Sequence, residues 1–391
     1  MSCEYYDFVV VGVGGIGSAT LYWLSRLAPN KKILGLEQFK LGHVRGGSQD
    51  HSRIVRKSVG YTDTSVYQSL AQDMYTAWEE IEDETGLQIL HKPGGLCFVD
   101  SASEAQYTIM KSYYPTTNVA GCEKVDGRQI ASFFEPEAGL ADAALGNAAH
   151  QQRARARGAE ILENVRVENL VTNSDGRITV YTNRGAFTAA KLIVTSGAWI
   201  NQVLAPLHVQ IPVKVTQENV SYIATPNIKP FRKENFPIII YKGAQFDVYT
   251  LPVHGLACFK IGCDAFGPET TGHTRTWTPD KRREELVLQW LRKYIPEAMG
   301  PIYETKTCLY TMTYDRHFVV DSLASRSHPN VIVCCGAGHA FKFAAVLGKT
   351  LAELATSGRT TADIGEFNVD RPAVTDPNYK FWFDERNKPK L

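Results

Sequence analysis

An α/β fold interrupted by an inserted α+β domain with an antiparallel sheet is what this sequence predicts, and three observations predict it. Near the N-terminus a β-branched, almost uncharged run leads through a glycine-rich turn into a helix-spaced segment and a second apolar run, the pattern of a βαβ unit. Between about 210 and 265, short β-rich runs alternate with turn residues, which reads as an antiparallel sheet. Beyond 330 a buried-type strand, a glycine turn and a helix return, so the first pattern resumes after the second.

The elements follow in order. Residues 6–11 (Tyr-Asp-Phe-Val-Val-Val) read as a buried parallel strand. Residues 18–27 carry Leu21, Leu24 and Leu27 at helical spacing, and Pro29-Asn30 ends that helix. A second strand at 33–36 closes with Glu37. Residues 65–85 form an amphipathic helix; Gly94-Gly95 marks a turn before a short strand at 96–99. An alanine-rich helix at 141–157 is stopped by Gly158, and strands follow around 161–167, 178–182 and 192–194. The antiparallel strands are expected at 220–225, 237–241, 247–251 and 257–263, with a helix at 280–294. The last strand, 331–335, runs into Cys335-Gly336-Ala337-Gly338 and a helix at 343–357.

Composition narrows the function classes. The chain has 391 residues, enough for two domains or one domain with an insertion, and 44% of them are hydrophobic, as in soluble globular proteins. A net charge of +1 with mixed signs argues against a nucleic-acid surface and leaves a small-molecule substrate as the expectation. The eight cysteines form no C-x-x-C pair, so no metal site is expected. The first strand starts almost at once, with no signal peptide before it, and the thiols are expected to be mostly reduced. No apolar run approaches the roughly 18 residues that span a bilayer, so no membrane partner is expected. The terminal Pro389-Lys390-Leu391 reads either as a weak peroxisomal address or as an ordinary basic tail of a cytoplasmic protein.

Gly12-Val13-Gly14-Gly15-Ile16-Gly17 is G-x-G-x-x-G. Gly12 permits the tight turn, Gly14 lets the backbone approach a pyrophosphate, and Gly17 packs helix on strand, with Gly15 a further candidate cofactor contact. The helix N-terminus offers free N–H groups to the phosphates. Glu37, 20 residues past Gly17, stands where a carboxylate can accept ribose hydroxyls. The motif alone does not separate NAD from FAD. Two later features favour FAD: residues 186–199, an apolar strand ending in Thr-Ser-Gly-Ala, and the turn at Gly336 and Gly338, able to point N–H groups at a flavin edge.

With these residues in place, the chain resembles the monomeric sarcosine oxidase family of flavoenzymes, which includes N-methyl amino acid oxidases and pipecolate oxidases. Four stretches carry the resemblance: 9–19, 46–56 (Gly-Gly-Ser-Gln-Asp-His-Ser-Arg-Ile-Val-Arg), 305–321 and 336–343 (Gly-Ala-Gly-His-Ala-Phe-Lys-Phe). The resemblance implies a Rossmann-like FAD-binding domain made of 1–85, 141–208 and 320–375. It implies a substrate domain made of 86–140 and 209–319, and a tail from 376 to 391. It implies FAD bonded covalently through Cys308, with Ser48, Arg53 and Val167 among the cofactor contacts. Arg56 and Lys342 match the pair that clamps a substrate carboxylate, a task that suits a guanidinium and an ammonium. Lys342 lies between Phe341 and Phe343, where a solvated charge is unexpected. Lys260 matches a lysine at which oxygen is reduced, and Tyr249 a pocket-lining tyrosine.

The chain also departs from that family. Asp264 stands where a pocket histidine is usual, and the loop holding His339 is one residue short. A dozen or so residues are missing before Glu135, and Gly47-Ser48-Gln49-Asp50 replaces the usual Ser-Ser-His-Gly. The short loop with Ala340 resembles the branch acting on cyclic imino acids. An acid at 264 suggests a cationic group on the substrate. The implied activity is oxidation of a secondary amino acid (sarcosine, an N-methyl amino acid, or a cyclic one such as pipecolate), with O2 reduced to hydrogen peroxide, by a monomer rather than an oligomer. The alternatives are a dehydrogenase passing electrons to a carrier and a catalytically silent flavin-binding protein.

Overall fold

The computed structural model describes residues 3–58, 66–100, 122–125, 128–243, 246–264 and 267–381. Its first sheet is built on the strand Glu4–Val11, which pairs in parallel with Ile33–Glu37 on one side and Gly185–Val194 on the other. Ile33–Glu37 continues in parallel to Glu160–Glu163, and the C-terminal half of Gly185–Val194 pairs in parallel with His328–Gly336. An antiparallel extension, Val167–Thr172 and Ile178–Thr182, pairs with the N-terminal half of Gly185–Val194, and Phe318–Leu323 pairs with His328–Gly336. The first strand reads as nearly continuous apolar sequence because both its faces are covered. Phe8 and Val10 enter a core with Leu21, Leu24, Trp78 and Leu347, whereas Val9 and Val11 enter another with Leu170, Val180 and Leu204.

Among the described residues, nine strands form the second sheet. All its pairs are antiparallel except Ile238–Lys242 with Gly95–Asp100. A third, three-stranded sheet joins Arg53–Val55 and Leu90–His91 to Gly139–Ala141. This small sheet sets Arg53 and Arg56 beside the cavity between the larger two.

Three sequence expectations need correction. The strand expected around 161–167 is two strands, because Asn164 takes a left-handed φ of 58° and turns the chain between Glu160–Glu163 and Val167–Thr172. The strand expected at 220–225 runs from Val213 to Ile223. Its first half was hidden by Thr216, Gln217, Glu218 and Asn219, all buried, whose polar groups are met inside the fold: Glu218 by the Arg283 guanidinium, Gln217 by the Thr278 carbonyl at 3.1 Å, Asn219 by the Asp280 carbonyl at 2.9 Å. Ile302–Thr313, the longest strand among the described residues, was not expected as one at all. Glu304 and Lys306 interrupt its apolar character, yet it pairs along nearly its whole length with Val213–Ile223. Among the described residues no helix is long and apolar enough to cross a membrane. Pro389-Lys390-Leu391 lies outside the described residues.

One buried histidine gives the fold a pH dependence. His150, on the helix Ala143–Ala156, is fully buried with its ring 5.2 Å from that of Tyr22 and 5.3 Å from that of Trp78. Burial in that apolar slot drives its pKa down to about 3. Between about pH 6.5 and 3 the unfolded chain therefore takes up a proton that the folded chain refuses. The stability this group contributes is complete above pH 6.5 and is lost as the pH falls through that window. His150→Leu is expected to flatten the fall in melting temperature between pH 6.5 and 4.5, where the wild-type histidine costs about 2 kcal/mol. Parallel melting curves for variant and wild type across that range would reject this role.

Candidate active site

One cleft of about 280 Å³ runs from the N-terminal glycine turn to the second sheet. Gly12, Gly14 and Gly15 line it where the first strand hands over to the helix Gly15–Leu27. Gly12 has φ +89°, a conformation that favours glycine. Gly17 does not line the cleft; a Cβ there would lie 1.8 Å from the Gly12 carbonyl oxygen, so it sets the contact of helix on turn. The Gly15 N–H, which has no partner within the helix at its start, donates to Ser48 Oγ at 2.9 Å. Glu37 is buried at the end of its strand, accepts from the Val13 N–H at 2.9 Å, and lines the same cleft. Val167 and the segment Thr195-Ser196-Gly197 line it too. A glycine turn opening a helix, an acid one strand away and close-approaching backbone together fit a dinucleotide. These residues would hold the pyrophosphate and a ribose of FAD.

At the C-terminal turn, Gly336 and Gly338 line the cleft and both have positive φ, as does the intervening Ala337 at +73°. The Gly338 N–H donates to the Thr311 carbonyl at 3.0 Å, which ties this turn to the strand Ile302–Thr313. That strand carries Cys308. The thiol is buried among Val220, Tyr222 and Cys258, and burial pushes its pKa up while Arg53, Lys260 and Arg275 pull it down. Leu309, Tyr310 and Thr311 line the cleft next to it, whereas Cys308 does not. The loop before Arg53 covers that stretch: Gln49 donates to the Thr307 carbonyl at 2.9 Å, and Arg275 donates to the same oxygen at 2.8 Å. Arg53 binds its own loop through the carbonyls of Gly47 and Gln49 at 3.0 and 2.7 Å.

Arg56, Lys342, Tyr249, His339, Asp264 and Lys260 all line the cleft. Lys342 is buried; its Nζ donates to the His339 carbonyl at 2.7 Å and lies 3.2 Å from His339 Nδ1. Trp78 Nε1 donates to the Lys342 carbonyl at 2.8 Å and fixes that turn to the helix Val66–Thr85. Burial holds the Lys342 pKa well below the usual lysine range, and Arg56, Arg316 and Lys242 lower it further. Burial also holds His339 well below the usual histidine range, with the Lys342 and Arg316 cations adding to it. The result is a wall short of negative charge, suited to an incoming carboxylate.

Asp264 behaves differently from the sequence reading. Its carboxylate accepts from both terminal nitrogens of Arg316, at 3.2 and 3.4 Å, and Arg316 is buried. A carboxylate already held by a guanidinium has little left to offer a cationic substrate group. The sequence reading also overlooked a second ion pair on this wall: Lys242 and Asp247, register partners across a hairpin, meet at 2.9 Å. Both are buried, and each lies at the edge of an apolar strand where polar residues normally mark a turn. Trp199 and Phe341 also line the cleft. Trp199 ends the Thr-Ser-Gly-Ala stretch that the sequence did single out.

Asp50 was likewise missed. It has φ +93°, and its carboxylate accepts from the Tyr222 hydroxyl and from Lys260 Nζ at 2.6 Å. Lys260 is buried and also donates to the Ser52 carbonyl at 2.6 Å and to Ser52 Oγ at 3.2 Å. Among the described residues no cluster of metal-ligating side chains occurs.

The chain matches known proteins over nearly its whole length. The chain is 30% identical over 387 residues to monomeric sarcosine oxidase of Bacillus sp. (strain NS-129), covering 95% of this chain and 98% of that one. It is 28% identical to the peroxisomal sarcosine oxidase of Mus musculus, covering 94% and 96%. Among solved structures its fold matches NikD, described as an unusual amino acid oxidase essential for nikkomycin biosynthesis, with a TM-score of 0.79 at 23% identity over 93% of this chain and 97% of that one. The family model described as FAD dependent oxidoreductase matches residues 7–354, and this chain belongs to that family.

Proposed function

We propose that this protein is an FAD-dependent oxidase of a secondary amino acid, such as sarcosine, another N-methyl amino acid or a cyclic imino acid, with O2 as acceptor and hydrogen peroxide as product. The observation that carries the reading is the placement of two buried basic side chains, Arg56 and Lys342, on the wall of the cleft that begins at the dinucleotide turn. Together they receive the substrate carboxylate, whose negative charge favours the protonated form of Lys342. Tyr249 and His339 complete the walls around the amine. FAD, when bound, accepts the hydride equivalent; the chain supplies position, charge and exclusion of water. The protein acts as a monomer in this reading, in keeping with the name of its bacterial relative.

Anaerobic mixing with a panel of N-methyl and cyclic amino acids tests it directly. At least one member is expected to bleach the flavin, and air is then expected to restore the colour with one peroxide per turnover. A flavin that no amine bleaches would sink the reading. The specific observation that favours a dehydrogenase instead is the ion pair at Lys260, which leaves less bare charge for oxygen chemistry; bleaching without peroxide under air would establish that alternative.

Covalent attachment of FAD through Cys308 belongs to the same proposal. Its support is the position of the thiol beside cleft-lining Leu309 and Tyr310; burial pushes the thiol pKa up, and Arg53, Lys260 and Arg275 only partly offset that. Yellow colour is expected to stay with acid-precipitated wild-type protein and to pass to the supernatant from Cys308→Ala. Colour released from the wild type would refute the bond while leaving FAD binding intact.

A further inference from the structure

We propose that Asp50 sets the oxygen reactivity of this site by holding Lys260 in a buried ion pair, so that the lysine presents a compensated charge to the flavin cleft. The inference rests on the reading of the cleft as a flavin site, not on any particular amine substrate.

The geometry is specific. Lys260 lines the cleft on the strand Phe259–Cys263, and its ammonium spends its three protons on Asp50 Oδ2 at 2.6 Å, the Ser52 carbonyl at 2.6 Å and Ser52 Oγ at 3.2 Å. Asp50 in turn receives the Tyr222 hydroxyl, and Lys306 Nζ approaches its other oxygen at 3.5 Å. Burial alone would raise the Asp50 carboxyl, but Lys260 and Arg53 outweigh it and hold the group ionised. The backbone pays for this arrangement: a φ of +93° is unfavourable for a residue with a Cβ. A left-handed aspartate that delivers a carboxylate to a buried lysine on a cofactor wall is a strained feature at a functional place.

Charge there bears on one step. Reoxidation moves two electrons from reduced flavin to O2, which takes up two protons and leaves as hydrogen peroxide. The first electron makes an anion, superoxide, from a neutral molecule, so a nearby cation speeds that step and a counter-ion on the cation slows it. Asp50 is a positioning residue in this account, acting through Lys260.

Two readouts test it without an amine substrate. Sulfite adds reversibly to oxidised flavin and leaves it negatively charged, so its dissociation constant reports the local field. Photochemical reduction followed by mixing with oxygenated buffer gives the second-order reoxidation rate. Asp50→Asn keeps size and tolerates positive φ; Asp50→Gly relieves the strain and serves if the first variant folds poorly. Each is expected to tighten sulfite binding about 10-fold or more and to speed reoxidation by a similar factor. Adding Lys260→Met is expected to abolish both gains. Unchanged sulfite affinity and reoxidation rate in a folded, flavin-loaded Asp50 variant would overturn the proposal. Gains that persist without Lys260 would overturn it as well. A chain that oxidises no amine would still report on Asp50 through sulfite, so failure of the amine oxidase reading is told apart from failure of this one.

Discussion

Arg56→Met is expected to lower kcat/KM for an amino acid substrate by ~10²-fold or more, corresponding to about 3 kcal/mol. The reason lies in what surrounds the carboxylate. Arg56 is buried on the cleft wall, where water cannot take over its role, and truncating one side of a buried charge pair leaves the other exposed to its full desolvation cost. The loss should fall on binding: anaerobic titration is expected to show weaker substrate affinity for the oxidised flavoprotein. Some compensation is built in, because Arg56 is one of the cations that depress Lys342, and its removal makes the lysine easier to protonate. Arg56→Lys should rescue only partly, since an ammonium lacks the planar fork that meets both carboxylate oxygens. The decisive comparison uses an amine of the same size without the carboxylate. Its oxidation should be nearly insensitive to the substitution; equal losses for both amines would remove Arg56 from the carboxylate site.

Gly17→Ala should leave a chain with little or no bound flavin and a much lower melting temperature. A Cβ at this position lies 1.8 Å from the Gly12 carbonyl oxygen and 2.6 Å from Thr195 Oγ1. The first partner is backbone in the glycine turn, so it cannot swing aside as a flexible side chain would. The helix Gly15–Leu27 has to lift off the turn, at a cost of about 3 kcal/mol or more. Lifting it also withdraws the N–H groups that face the pyrophosphate. The ratio of flavin to protein absorbance in purified material measures the outcome. Gly365→Ala, whose Cβ would find its nearest neighbour at 3.9 Å, is the control for handling and should retain full flavin. Normal flavin content in Gly17→Ala would mean that the turn tolerates a shift the packing forbids.

The parts of the fold that were legible in the sequence share one property: their chemistry is local. The glycine turn, the acid at Glu37, the amphipathic helix Val66–Thr85 and the hairpin strand Asp247–Leu251 declare themselves within a few residues. What escaped is set by partners far along the chain. Val213–Ile223 hides buried polar residues, and the partners of Glu218 and Asn219, Arg283 and Asp280, lie more than sixty residues on. Asp264 read as a free acid because Arg316, 52 positions away, is its partner only in space. Asp50 read as an odd residue in a familiar stretch; neither its left-handed backbone nor its lysine, 210 positions away, has a local signature. Of the proposed site, Arg56, Tyr249, Lys260, His339 and Lys342 were named from sequence, whereas the Lys242–Asp247 pair on the same wall and the partners Asp50 and Arg316 were not.

The layout of the first sheet has a consequence for how the protein is made. The strand Glu4–Val11 leaves the ribosome before its partners: its neighbour Gly185–Val194 is synthesised some 180 residues later, and the next strand in, His328–Gly336, later again. The helix Gly15–Leu27 waits longer still, since Gly348 of the helix Ala344–Ser357 packs where a Cβ would come within 2.5 Å of Ala19. During translation the glycine turn is therefore an open apolar edge without its later neighbours, a state that invites chaperones and misassembly. A chain truncated short of the helix Ala344–Ser357 is therefore expected to be insoluble.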